Sequence, residues 1–111
     1  MSHVIRTLVG PGADAPCEIT LAGRLYASAA PELETAVARA SPTAPLLLDA
    51  TDLEAIDAVA LRVLLRAARA RAAGGRIVVR GARPGVRRFL ELVGFDRIVE
   101  LAPSPNGAGP R

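Results

Sequence analysis

The sequence predicts a single α/β domain in which helices pack against a mixed sheet of four to five strands. Its 111 residues suit one hydrophobic core, since a domain usually takes about 100 to 200 residues. Leu46–Leu48 is a continuous apolar run, which is typical of a strand buried on both faces. A helical pattern and a second apolar strand, Arg76–Arg80, follow this run. A strand, helix and strand joined so tightly form a right-handed crossover with parallel strands.

Two short strands and a helix are predicted before the central strand. The apolar segment Val4–Val9 ends at the turn-forming Gly10–Gly12, and Cys17–Leu21 then alternates apolar with polar residues. These two segments predict a hairpin whose first strand lies at the edge of the sheet. Residues 29–40 have helical periodicity, and Ser28 is the expected N-cap of that helix.

The central strand is expected to lead through an acidic loop into a second helix. Four carboxylates lie between Asp49 and Asp57, but this stretch lacks the glycine and closing glutamate of a calcium loop, so we predict no metal site. Asp57 is the expected N-cap of the helix. Arg62, Arg66 and Arg69 fall on one side of its apolar stripe and are expected to form a basic ridge. The ridge is interpreted as a solvated face or as a surface that contacts a partner.

The carboxyl-terminal part is expected to hold one more helix and a short last segment. Gly74 and Gly75 should end the second helix, and Pro84 should open a third helix that stops at Gly94. Ile98–Leu101 is expected either to pair at a sheet edge or to cover the core. The folded domain is expected to span residues 1–102, and the proline- and glycine-rich residues 103–111 are expected to be a disordered tail.

Composition argues against several classes of function. Residues 1–61 hold eight acidic residues and three arginines, whereas residues 62–90 hold nine arginines and no acidic residue. The arginines have no interleaved aromatic residues, so nucleic-acid binding is not expected. No apolar run is long enough to insert into a membrane, and the lone cysteine, Cys17, is expected to be buried and inert. A reducing, cytoplasmic location fits best.

Residues suited to catalysis are scarce. The single histidine, His3, lies near the amino terminus, Cys17 has no neighbouring base in the sequence, and no glycine-rich loop precedes a helix that carries lysine. We therefore expect a protein that is not an enzyme and needs no cofactor.

Several motifs, in order, resemble the STAS family of anti-sigma factor antagonists over about residues 4–101. They are a Gly-x-Leu at Gly23, an aliphatic strand that ends at Asp49, a helix that opens at Asp57, the Gly74–Gly75 stop and the closing Leu92–Asp96. The resemblance implies the STAS fold. It also implies a non-catalytic domain that binds an anti-sigma factor, a serine kinase-like ATPase, and so releases a sigma factor.

The chain departs from the family at the usual phosphorylation site. In STAS antagonists the helix opens with Asp-Ser-Ser or Asp-Ser-Thr, then Gly-Leu, and a hydroxyl of this run accepts phosphate. Here the positions after Asp57 are Ala58 and Val59, followed by Ala60 and Leu61. Control by phosphorylation at this site is therefore not expected. The partner-binding residues implied are Tyr26, Thr51, Asp57, Ala58, Val59, Ala60, Leu61 and Arg62, and Thr51 is the one remaining hydroxyl in the acidic stretch.

The resemblance leaves a second function open. Some STAS domains are structural subunits of membrane transport or lipid-trafficking complexes, and these need not cycle through phosphorylation. The apolar Val59 and the aromatic Tyr26 would suit a permanent interface of this kind. The partners would then be transporter subunits rather than an anti-sigma factor.

Overall fold

The computed structural model describes residues 3–12, 15–71 and 75–103 and has a five-stranded mixed sheet with three α-helices, which confirms the predicted fold class. In chain order the elements are β1 (His3–Val9), β2 (Cys17–Leu25), α1 (Ala30–Ala38), β3 (Leu46–Ile56), α2 (Ala58–Ala70), β4 (Ile77–Arg80), α3 (Pro84–Leu92) and β5 (Glu100–Ala102). Two 3-10 turns, Ala27–Ala29 and Phe95–Arg97, precede α1 and β5.

The sheet follows the chain, in the order β1-β2-β3-β4-β5. β1 and β2 form an antiparallel hairpin with β1 at the edge, and all later neighbours pair in parallel. The predicted hairpin and the central place of the Leu46–Leu48 strand are therefore confirmed. The segment around Ile98–Leu101 contributes the second edge strand, since β5 pairs with β4. Because the strands advance in one direction, right-handed crossovers place all three helices on the same face of the sheet.

The hydrophobic core lies between the helices and that face. Alternate strand residues point into it and are buried, among them Ile19, Leu48 and Val79. Cys17 belongs to this set with 1% of its surface exposed, so the expected burial of the thiol is confirmed. Burial raises the pKa of Cys17 and outweighs the opposite effect of the Arg71 charge. The thiol therefore stays protonated near neutral pH.

The other face of the sheet carries a polar cluster across three strands. Arg80 on β4 lies 3.1 Å from Asp49 on β3 and 3.2 Å from Glu18 on β2. The Thr51 hydroxyl donates to Asp49 Oδ1 at 2.7 Å, and the Thr51 amide donates to the same oxygen at 3.1 Å. Burial raises the pKa of Asp49, but these hydrogen bonds and the Arg80 charge outweigh it, so the pKa lies below its ordinary value.

Asp49→Asn is expected to lower the free energy of unfolding by about 2 kcal/mol near neutral pH, the usual scale for hydrogen bonds to a charged group. Because the pKa of Asp49 is lower in the folded state, its contribution is present above the unfolded value of about 3.9 and is lost as the pH falls through the folded value. Urea unfolding across that pH range should show the two proteins converging below about pH 4. A difference that stayed constant down to acid pH would contradict this role.

The predicted acidic loop is wrong, because β3 continues as a strand to Ile56. β2 is long enough to pair with it as far as Leu25, with register shifts on the way. Leu53 is buried on the core side, whereas Asp52 and Glu54 are exposed. Asp52 and Glu54 thus occupy outward positions of a strand, where their carboxylates remain hydrated.

Two helix ends in the structure also differ from the predicted ones. Ser28 is not the N-cap of α1, since it lies inside the 3-10 turn and the cap, Ala29, makes no side-chain hydrogen bond. α2 ends at Ala70 with Arg71 as its C-cap. Gly74 and the tail residues 104–111 lie outside the described residues. The other two ends are confirmed, since Pro84 is the first residue of α3 and Gly94 follows its end with a φ of 79°.

Candidate functional site

Asp57 joins the start of α2 to the segment that follows β2. Its Oδ1 accepts a hydrogen bond from the Ala60 amide at 2.9 Å, and its Oδ2 accepts one from the Ala27 amide at 2.9 Å. The Asp57 amide donates to the Leu25 carbonyl at 3.1 Å. The predicted N-cap role is confirmed. The bond to Ala27 adds a second role, because it fixes the 3-10 turn beside the helix.

This bridge brings together exposed apolar side chains. Tyr26 precedes Ala27 and is 42% exposed, whereas Val59 in the first turn of α2 is 45% exposed. Ala58 between Asp57 and Val59 is also exposed. We call Tyr26, Ala58 and Val59 the helix-start surface. Both Asp57 oxygens accept hydrogen bonds from backbone amides of the segments that carry these side chains. Exposed apolar side chains at such a position suit contact with another protein.

The remaining residues predicted for the site take different places. Ala60 and Leu61 are buried in the core, so they hold the helix-start surface in position without forming part of it. Arg62 is exposed one turn along α2. Thr51 lies within β3 in the polar cluster, where its carbonyl accepts a hydrogen bond from Arg83 Nε at 3.2 Å. Thr51 therefore belongs to the open face of the sheet rather than to the helix-start surface.

Sequence reasoning missed the position of Ser28. The residue is exposed and directly follows Ala27, whose amide donates to Asp57. The pattern of helix-forming residues suggested a cap instead. No local sequence signal shows that Asp57 reaches back to this turn, because the two segments are separated by α1 and β3.

The predicted basic ridge is exposed, as expected for a solvated face. Arg62, Arg66 and Arg69 all lie on the outer side of α2. Arg66 is 3.8 Å from Glu34 on α1, and both side chains are more than half exposed. Such exposed ion pairs contribute little to stability. A partner that displaced Glu34 from Arg66 would therefore cost the fold little.

Within residues 3–12, 15–71 and 75–103, no three His, Cys, Asp or Glu side chains are grouped closely enough to hold a metal ion. No helix in these ranges is long and apolar enough to cross a lipid bilayer.

Comparison with known proteins points to one family. The family profile described as "Mlab, STAS domain" matches residues 11–100, which include the helix-start surface. A search of curated proteins finds no match.

Solved structures of anti-sigma factor antagonists are similar to this chain. One from Mycobacterium paratuberculosis has a TM-score of 0.74 at 25% identity, over 93% of this chain and 89% of that one. A Thermotoga maritima protein proposed to be of the same class has a TM-score of 0.66 at 21% identity, over 82% and 83%. The antagonist SpoIIAA in its unphosphorylated form has a TM-score of 0.60 at 18% identity, over 86% and 97%, and these last two likenesses show the fold alone.

Proposed function

This chain belongs to the STAS domain family, and we propose that it is a non-catalytic binding protein that acts as an anti-sigma factor antagonist. The observation that carries the proposal is the helix-start surface, where Tyr26 and Val59 are exposed on the two segments that the Asp57 carboxylate joins by hydrogen bonds. Its likeness to the Mycobacterium paratuberculosis antagonist supports the choice of partner class.

The binding step follows from this geometry. Tyr26 and Val59 supply apolar contact area, and Arg62 supplies a charge at the rim of the same surface. We infer that the surface docks on an anti-sigma factor, a serine kinase-like ATPase, and that the docked complex excludes the sigma factor. Because Asp57 is bonded on both oxygens, the backbone that carries the surface is held in place before binding, and less conformational entropy is lost on docking.

The residues at the start of α2 also imply that the antagonist is not switched off by phosphorylation. A phosphate at the start of a helix adds nearly two negative charges, here next to Asp57. Neither Ala58 nor Val59 has a hydroxyl to accept one. The helix-start surface is therefore held in one state, and the protein is controlled by its amount rather than by phosphorylation at this position. An antagonist of this kind works where sigma factors act, in the cytoplasm.

Sigma-factor release tests the proposal directly. The purified protein is added to a preformed complex of sigma factor and anti-sigma factor from the same cell, with ATP present. We expect free sigma factor to rise in proportion to the added protein and to stay high during incubation, because no phosphate can be placed at the start of α2. Unchanged sigma binding at excess protein would contradict the proposed function.

The Ala58→Ser variant isolates the lost phosphorylation site. It should bind the same anti-sigma factor, accept phosphate from ATP and then lose its sigma-releasing activity over time. Ser28→Ala in the same background is the matched control, since Ser28 is an exposed hydroxyl residue next to Ala27, whose amide donates to Asp57. Binding without labelling of Ala58→Ser would show that more than the hydroxyl has been lost.

The alternative is a structural subunit of a membrane transport or lipid-trafficking complex. The family profile and the exposed Tyr26 and Val59 favour it, because a permanent interface needs apolar area and no switch. Co-purification with a permease and its ATPase, in place of an anti-sigma factor, would establish this function.

A further inference from the structure

A groove runs between the edge strand β1 and helix α1, and none of the residues that line it belongs to the helix-start surface. Its volume is about 280 Å³, and it is open to solvent. It is lined by two residues of β1, three of α1 and the residue that caps the end of α1, namely Ile5, Thr7, Glu32, Thr35, Ala36 and Arg39. A groove between a sheet edge and a helix is the arrangement in which an extended peptide can add to the sheet as a further strand.

The backbone of β1 presents the right groups to this groove. The Gly10 amide donates to the Pro16 carbonyl at 3.2 Å, which makes these residues a hydrogen-bonded pair of the hairpin. In an antiparallel pair, hydrogen-bonded and non-hydrogen-bonded positions alternate. Leu8, Arg6 and Val4 therefore bond to β2, following the hairpin register. The N–H and C=O groups of Ile5 and Thr7 point outward, and these are the two β1 residues that line the groove.

The groove has opposite charges at its two ends and an apolar floor. Glu32 lies at one end, 2.9 Å from His3 Nε2, and Arg39 lies at the other end. The buried Ala36 and the partly buried Ile5 lie between them. Along α1 the two charged residues are separated by about 10 Å, at 1.5 Å per residue. Three alternate side chains of a strand span about 13 Å, so one can reach each charge while the middle one covers the floor.

A second copy of this chain fits this edge less well than a different protein. On the open face of the sheet β1 exposes Val4, Arg6 and Leu8, and Leu8 is 70% exposed. Pairing of two β1 strands in the register of greatest overlap would place Arg6 opposite its own copy. Like charges directly opposite one another destabilise a strand pair. A foreign strand can place an acidic residue there instead.

We propose that the groove between β1 and α1 binds an extended segment of a partner protein, added antiparallel to β1, whose groove-facing residues are acidic, apolar and basic in that order. The acidic residue meets Arg39, the apolar residue lies on Ile5 and Ala36, and the basic residue meets Glu32. This order follows from the direction of the added strand, because α1 runs parallel to β1, as the contact between His3 and Glu32 at their starts shows. The surface is separate from the proposed anti-sigma site.

The test uses a short synthetic peptide with aspartate, valine and lysine at alternate positions, in that order, and threonines between them. A second peptide has lysine in place of the aspartate. By fluorescence anisotropy on the full chain, we expect the first peptide to bind about tenfold more tightly than the second. Arg39→Glu should reverse this preference. Arg39 is exposed at the end of α1, and circular dichroism will verify that the variant is folded.

Backbone pairing is tested by methylating single peptide nitrogens. Methylation at the valine, whose N–H faces β1, should abolish binding, whereas methylation at a neighbouring threonine, whose N–H faces solvent, should leave it unchanged. The proposal is overturned if the first peptide does not bind, if Arg39→Glu leaves the preference unaltered, or if both methylations act alike. A stable dimer in sedimentation that Arg39→Glu dissociates would assign the groove to a second copy instead.

Discussion

Replacing Arg71 with methionine is expected to lower the free energy of unfolding by about 3 kcal/mol, the largest effect on stability that we predict. Methionine keeps an aliphatic side chain of similar length and removes the guanidinium. The guanidinium of Arg71 donates to the carbonyls of Gly75 and Ala44, and to that of Ser41 at 2.7 Å. These contacts join the end of α2 to the segment that leads into the central strand. Methionine would leave partly buried carbonyls without this donor.

Urea unfolding followed by circular dichroism measures the effect, with Arg69→Met as the matched control. Arg69 lies two residues before Arg71, in the last turn of α2, but is exposed, so its replacement should change stability by less than about 0.5 kcal/mol. Equal effects of the two substitutions would show that the Arg71 contacts contribute nothing specific.

If the proposed function is right, Val59→Arg is expected to weaken binding to the proposed anti-sigma partner by about thirtyfold or more, which corresponds to the loss of about 2 kcal/mol at an interface hot spot. Val59 is exposed in the first turn of α2 and makes the apolar part of the helix-start surface with Tyr26. Arginine there brings a charge into the contact. Because arginine is a good helix former and the site is exposed, the fold should be unaffected.

Leu92→Arg provides the control for this binding experiment. Leu92 is 75% exposed on α3 and so offers the same change from apolar to charged outside the helix-start surface. Titration calorimetry should give unchanged affinity for Leu92→Arg. If both substitutions weakened binding equally, general charge or solubility would be the cause rather than the helix-start surface.

Local sequence patterns predicted the strands and helices well wherever the spacing of apolar residues matched the burial of the segment in the fold. The unbroken Leu46–Leu48 run indicated the central strand, and Pro84 and Gly94 indicated the limits of the last helix. The same reasoning failed after Asp49, because acidic residues favour loops on average. Beyond Asp49 the described partner of β3 is the long strand β2 alone, and the length of β2 cannot be read from the acidic segment itself.

The candidate site could be predicted only in part for a similar reason. Asp57 and Val59 were predicted from the start of the helix and from the family resemblance. The hydrogen bond from Ala27 to Asp57, and hence the position of Ser28, depends on how β2 and β3 pair. The bonds of Arg71 likewise connect segments far apart in the chain. In the sequence Arg71 is one of nine arginines in a basic region, with nothing to distinguish it.

Affinity capture from the source cell is the most direct test of the proposed antagonist role. The tagged wild-type protein and its Val59→Arg and Leu92→Arg variants are exposed to the same lysate, and the bound proteins are identified by mass spectrometry. We expect an anti-sigma factor with a kinase-like ATPase domain to be recovered with the wild type and Leu92→Arg, and to be lost with Val59→Arg. Recovery of a transporter ATPase and permease in its place would contradict the antagonist role and assign the helix-start surface to a permanent membrane assembly.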